Sequence, residues 1–289
     1  MAKTIQLRDV SVCLEDDGQG APVLLLHGFP ATRHLWSRVA PLLVNAGFRV
    51  LVPDLIGYGD SGAPAGVPVD MASQARWMLE LLERLGVPRP VVIAHDVGSA
   101  AAQLMVAPGA LMQNVHIPAR HVDNLHHAEK GPVANAPGRV RGLAVLDGVY
   151  AAEWAMDAIT GIRDWDPAEA HRLFPVLARR LAKSPALREM LAAYQGEQGG
   201  LKLIRAARDL DPTQTADIGE RLRASGVPAI VLWGERDEFL SIQDVGQPLA
   251  ELLHAPLVKL PGGHFTPLDC PTEVADALRS FLASLPSER

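Results

Sequence analysis

The sequence predicts an α/β protein whose mostly parallel sheet is covered by helices on both faces, and three observations carry that prediction. Short apolar runs alternate with helix-patterned stretches from Leu24 onward, the rhythm of strand–helix–strand crossovers. Runs such as Pro22-Val23-Leu24-Leu25-Leu26 are continuously apolar, the pattern of strands buried on both faces. His27, Asp54, Asp96, Asp147, Asp237 and His264 each fall just past such a run. A parallel sheet therefore gathers them on one edge, where such sheets bind ligands.

Taken in order, residues Ile5 to Leu14 followed by Asp16-Asp17-Gly18-Gln19-Gly20 read as a leading hairpin and turn. A strand from Pro22 to Leu26 ends at His27-Gly28-Phe29-Pro30, and a helix follows with Leu35, Val39, Leu42 and Leu43 on one stripe. Phe48 to Val52 is the next buried strand. Asp70 caps a helix whose Ala75, Met78, Leu79, Leu82 and Leu85 keep helical spacing. Val91 to His95, Arg141 to Leu146, Ala229 to Trp233 and Leu257 to Leu260 supply further strands, and Pro271 opens a final helix with Val274, Ala277, Leu278, Phe281 and Leu282 inward.

The rhythm breaks twice. Between Gly148 and Gly226 the chain reads helical, over Pro167 to Ala182, Pro185 to Tyr194 and Leu201 to Leu210. This predicts a core of residues 1–148 and 226–289 with a helical cap of residues 149–225. Residues 108–139 are too long for a simple connection and read as a surface excursion, a second lid or a contact between two copies in a homodimer. Their histidines, His116, His121, His126 and His127, are spaced by five, five and one. That spacing puts no pair on one helical face, so no metal site is expected.

Composition narrows the function. A net charge of −6 in 289 residues cannot neutralise a run of phosphates, so no nucleic-acid partner is expected. Cys13 and Cys270 form no metal-type pair and read as structural thiols of a reducing, cytoplasmic compartment. No stretch has the roughly 18 apolar residues of a membrane span, and the N-terminus lacks a signal-peptide core. The expected partner is a small-molecule substrate, with neither membrane nor cofactor.

The chemistry centres on Ala94-His95-Asp96-Val97-Gly98-Ser99. Small residues at Ala94, Gly98 and Ser99 suit a tight strand-to-helix turn with Asp96 at its apex. Such an aspartate is either a helix cap or a covalent nucleophile. A carboxylate suits an sp3 carbon bearing a leaving group, and the resulting ester needs a base-activated water. His264 is the candidate base and Asp237 its orienting acid. The N–H groups of Phe29 and Val97 are placed to hold the oxyanion if Gly28-Phe29-Pro30 folds over the turn. Asp147, at the start of the cap connection, reads as a structural residue or a second acid partner.

His27-Gly28-Phe29-Pro30, the Asp96 turn, Trp233-Gly234-Glu235-Arg236-Asp237 and Gly263-His264-Phe265 resemble the α/β-hydrolase superfamily, and the aspartate resembles its epoxide hydrolase and haloalkane dehalogenase branch. The resemblance implies an α/β-hydrolase fold with eight strands, a catalytic set of Asp96, His264 and Asp237, and hydrolysis through an Asp96 alkyl ester. An epoxide opened to a diol is the first expected substrate and a small organohalide the second. Ester, lactone or non-hydrolytic chemistry with Asp96 as base is a further alternative.

The chain also departs from that branch. Val97 stands where dehalogenases of this type place a tryptophan or an arginine, and the cap offers only Tyr150 and Tyr194 where epoxide hydrolases use two tyrosines. Trp154, Trp165 and His171 are the substitute donors, and His27, His95 and Phe265 complete the expected substrate wall.

Overall fold

The computed structural model describes residues 1–107, 109, 139–181 and 185–286. An eight-stranded sheet runs in the order β1-β2-β4-β3-β5-β6-β7-β8. Its strands are β1 (Lys3–Leu7), β2 (Val10–Asp17), β3 (Pro22–Leu26), β4 (Arg49–Pro53), β5 (Val91–His95), β6 (Gly142–Leu146), β7 (Ala229–Gly234) and β8 (Leu257–Leu260). The β1–β2 and β2–β4 pairs are antiparallel and all the others parallel. Every residue of β5, β6 and β7 is buried, which explains their continuously apolar runs. Each fully buried Val, Leu or Ile side chain contributes about 1.5–3 kcal/mol.

After β3 the chain moves outward to β4 and then returns past β3 to β5. Strand order reverses between β3 and β5, and a crevice opens at such a point beyond the carboxyl ends of the strands. The loop after β3 and the turn after β5 flank that crevice.

Helices α1 (Ala40–Asn45), α2 (Met71–Arg84) and α3 (Gly98–Val106) connect the first strands. Asp70 caps α2 by accepting from the Ser73 N–H at 3.0 Å. Two local expectations change. The leading hairpin turns at Arg8-Asp9, and Asp16 and Asp17 are the end of β2. Asp16 can stay in the strand because Lys3 and Arg49 each ion-pair with it at 2.8 Å. The stripe from Leu35 to Leu43 is divided into a 3-10 turn over Arg33–Trp36 and α1, which leaves Leu42 exposed. Pro41 in the first turn of α1 has no N–H with which to continue the preceding turn.

Between β6 and β7 the chain runs through α4 (Met156–Arg163), α5 (Leu173–Leu181), α6 (Pro185–Leu191), α7 (Gly196–Asp209), α8 (Thr213–Ala216) and α9 (Gly219–Ala224). Polar bonds tie these helices to the sheet side. Tyr194 donates its hydroxyl to Ala31 O at 2.9 Å, Lys202 bonds Gly59 O at 2.8 Å, and Asp209 accepts from Val69 N at 3.0 Å. The chain closes with α10 (Gln247–Leu253), α11 (Thr266–Asp269) and α12 (Pro271–Ser284). Val274, Leu278, Phe281 and Leu282 of α12 are buried and Ala277 is half-buried.

Among the described residues, no helix is long and apolar enough to cross a membrane. Both cysteines are buried and free. Cys13, Asp54 and Asp60 converge, but Arg33 ion-pairs with both carboxylates and already supplies the cation. His116, His121, His126 and His127 lie outside the described residues.

Candidate active site

β5 ends at His95, and Asp96 follows with a φ of 51°. This left-handed conformation costs a non-glycine residue on the order of 1–3 kcal/mol, and it lifts the side chain clear of the backbone. The turn closes tightly because Gly98 packs against the carbonyl of His27, where a Cβ would collide. The Phe29 N–H donates to Asp96 Oδ1 at 2.7 Å, and the Val97 N–H also bonds the carboxylate. Both expected amide donors therefore face Asp96.

Gly28 makes that approach possible, since a Cβ on it would strike the Asp96 carboxyl. Gly28→Ala is expected to cost about 1–3 kcal/mol of stability and to lower turnover roughly 10²-fold by shifting the carboxylate. Melting and steady-state assays on the same preparation check this. Parental turnover in the variant would mean that the loop does not hold Asp96.

His264, in the loop after β8, presents Nε2 to Asp96 Oδ2 at 3.5 Å and Nδ1 to Asp237 Oδ2 at 2.9 Å. Asp237 follows β7, and its other oxygen accepts from Phe239 N at 2.8 Å and Leu240 N at 3.0 Å, which fixes its orientation. Burial alone would lower the His264 pKa, but hydrogen bonds and charge from Asp237 and Asp96 outweigh it and raise the value to about 10. Burial alone would raise the Asp96 pKa, but the hydrogen bond and charge of His264 outweigh it and hold the carboxyl below its ordinary range. Asp96 and Asp237 thus bracket the imidazole, each facing one of its ring nitrogens.

A cavity of about 510 Å³ opens above this array. Phe29, Asp96, His264 and Phe265 form its floor side, and Trp154, Trp165 and one face of α5 form its opposite wall.

Comparison with known proteins agrees with this architecture. Residues 21–110 match the α/β-hydrolase fold family model. A fluoroacetate dehalogenase from Burkholderia sp. is 28% identical over 97% of this chain and 93% of its own. An epoxide hydrolase from Caballeronia sordidicola is 25% identical over the same shares. Among solved structures, an α/β-hydrolase fold protein from Burkholderia ambifaria superposes with a TM-score of 0.71 at 21% identity, covering 96% of each chain. The chain has the α/β-hydrolase fold.

Around this site the expected substrate wall is only partly assembled. Trp154, Trp165 and Phe265 line the cavity. The Trp154 indole N–H, however, is bonded to Thr215 Oγ1 at 2.9 Å and Ala151 O at 3.1 Å, and that of Trp165 to Glu169 O at 3.1 Å. Tyr194, Tyr150, His171, His27 and His95 do not line the cavity. Tyr194 is fully buried because its hydroxyl anchors the helices to Ala31. Tyr150 lies near Gly219, and His171 is exposed.

His27 is a backbone brace. Its Nδ1 bonds Gly28 O and its Nε2 accepts from Leu55 N, both at 2.9 Å. His95 bonds the His264 carbonyl through Nε2 at 2.7 Å and stacks on Phe265. Burial and the charge of His264 lower its pKa to about 4, so it is neutral.

Sequence reasoning missed Phe239, whose ring lies 5.2 Å from that of His264, and Arg180 and the α5 stripe. The α5 spacing of Leu173, Val176 and Leu177 was a readable signal. Nothing local marked Phe239.

Asp147, in the turn after β6, is buried with a φ of 43°. It accepts from Gly234 N at 2.6 Å and from the Thr266 hydroxyl, bracing the ends of β6 and β7 against the start of α11. Burial pushes its pKa up to about 8, against the pull of the His264 charge and these bonds. A carboxyl whose pKa is raised on folding holds its proton in the fold first. Stability therefore falls as pH rises from the unfolded value of 3.8 to about 8. Asp147→Asn keeps the neutral shape and is expected to flatten that decline. The loss of melting temperature between about pH 5 and about pH 8 should shrink, by roughly 2–4 °C per kcal/mol relieved. An unchanged loss would mean that Asp147 is ionised in the fold.

Proposed function

We propose that this α/β hydrolase displaces a leaving group from an sp3 carbon through a covalent alkyl ester of Asp96. The observation that carries the reading is the double hold on the carboxylate, with Oδ1 on the Phe29 amide and Oδ2 facing His264 Nε2 at 3.5 Å. Oδ2 forms the C–O bond while the carbon–leaving-group bond breaks with its electron pair. Ester formation removes the negative charge of Asp96, and with it part of what keeps His264 protonated. The imidazole then gives its proton to solvent and takes one from a water that attacks the Asp96 carboxyl carbon. As that adduct collapses, the bond from the carboxyl carbon to the alkyl oxygen breaks and the imidazolium hands its proton to the departing alcohol, which restores the Asp96 carboxylate. Phe29 and Val97 hold the oxyanion of that step, and Asp237 steadies the imidazole. In this reading residues 149–225 form the cap over the cavity.

The sequence placed an epoxide first, but the wall favours an organohalide. Halide departs as a stable anion, whereas the alkoxide of an opened epoxide needs a proton, and in-line displacement sends it away from Asp96 and so from the His264 Nε2 that lies 3.5 Å from the attacking carboxylate. The Tyr194 hydroxyl offered for that task is bonded to Ala31 O, and both indole N–H groups are also engaged. The epoxide is the second reading, supported by the similarity to an epoxide hydrolase.

A single turnover with excess enzyme in 18O-water tests the ester. Label is expected in the Asp96-containing peptide, because water adds to the enzyme's own carboxyl carbon. Turnover with no label there would overturn the reading. Assays of halide release and diol formation then separate the two substrate classes.

A further inference from the structure

We propose that Arg180 makes the cavity selective for substrates carrying an anionic group, of the carboxylate class, at the end remote from the reacting carbon. The inference rests on the proposed use of the cavity as the substrate site. Leu173, Val176, Leu177, Arg180 and Leu181 of α5 all line the cavity. Their spacing is that of one helical stripe, so Arg180 stands where the pattern calls for another aliphatic side chain. Arg179 beside it already gives the last turn of α5 a cation, so a favourable helix end does not account for a guanidinium on the cavity face.

The charges on the lining deepen the point. Asp96 and His264 lie against each other at the floor, whereas Arg180, among the described lining residues, is a charge with no such partner. Among the described residues no hydrogen bond or ion pair engages it. Arg180 is solvent-exposed while Asp96 and His264 are buried, which sets it at the rim with the apolar wall between. A ligand spanning that wall buries its alkyl chain and presents its far end to the guanidinium, whose planar fork matches a carboxylate with two parallel N–H donors.

Binding of unreactive ligands tests this without any turnover. Hexanoate and its neutral counterpart hexanamide are titrated into the parent protein, Arg180→Gln and Arg180→Lys, and followed by calorimetry and by the emission of Trp154 and Trp165. The parent is expected to bind hexanoate about tenfold more tightly than hexanamide, the scale of a charge-assisted bond at a partly exposed site. Arg180→Gln should abolish the preference while leaving hexanamide binding intact, which also certifies the fold, and Arg180→Lys should keep part of it. Equal binding of the two ligands by the parent, or an equal loss of both in Arg180→Gln, would overturn the proposal. The 18O experiment reports on Asp96 separately, so label in Asp96 without a charge preference removes this inference alone.

Discussion

Asp96→Asn is expected to lower turnover by on the order of 10⁴-fold or more, the scale seen when a covalent nucleophile is removed and only binding and the oxyanion donors remain. The amide oxygen still accepts from Phe29 N–H, so the turn should stay folded while its nucleophilicity is lost. The variant also removes the charge that helps raise the pKa of His264 to about 10, and a titration of the imidazole by NMR should show that pKa falling. The two readouts separate roles. An active Asp96→Asn protein would sink the ester, and a high His264 pKa retained in the variant would show that Asp237 alone sustains the imidazolium.

The second large effect falls on His264. In His264→Gln, ester formation should proceed and its hydrolysis should slow by about 10²–10⁴-fold, the usual contribution of a positioned general base. One equivalent of leaving group per enzyme should appear as a burst, and intact mass should rise by the alkyl group. A tryptic fragment containing Asp96 should carry the added mass. Burst-free, uniformly slow release would place His264 in the first step and overturn its role as base for the second.

The turn at Asp96 and the strands around it were legible because each is local. Asp237 and His264 were legible singly, each as a residue just past a strand end, although their contact spans 27 positions. A strand end, a small residue at Gly98 and a loop after an apolar run are all written within a few positions. The contacts of the residues between β6 and β7 were not. Tyr194 looked like a proton donor by type, yet a buried hydroxyl must find an acceptor, and the nearest is the backbone of Ala31, 163 residues away. Trp154 lines the cavity, but its N–H was unreadable for the same reason, since Thr215 lies 61 positions downstream. Leu42 shows the limit at short range, where a helical spacing fitted the apolar residues and Pro41 broke the helix that would have used it.

The sheet order has a consequence in time. Phe29 meets Asp96 across 67 residues, and His95 meets the His264 carbonyl across 169. Contacts so far apart along the chain make folding slow, because loop closure must precede the contacts that reward it. As the chain leaves the ribosome, the Asp96 turn emerges long before His264, and β8 must dock beside β7 before His264 has a place to stand. In the proposed mechanism the hydrolysis of the Asp96 ester therefore becomes available only late, once β8 has docked at the edge of the sheet.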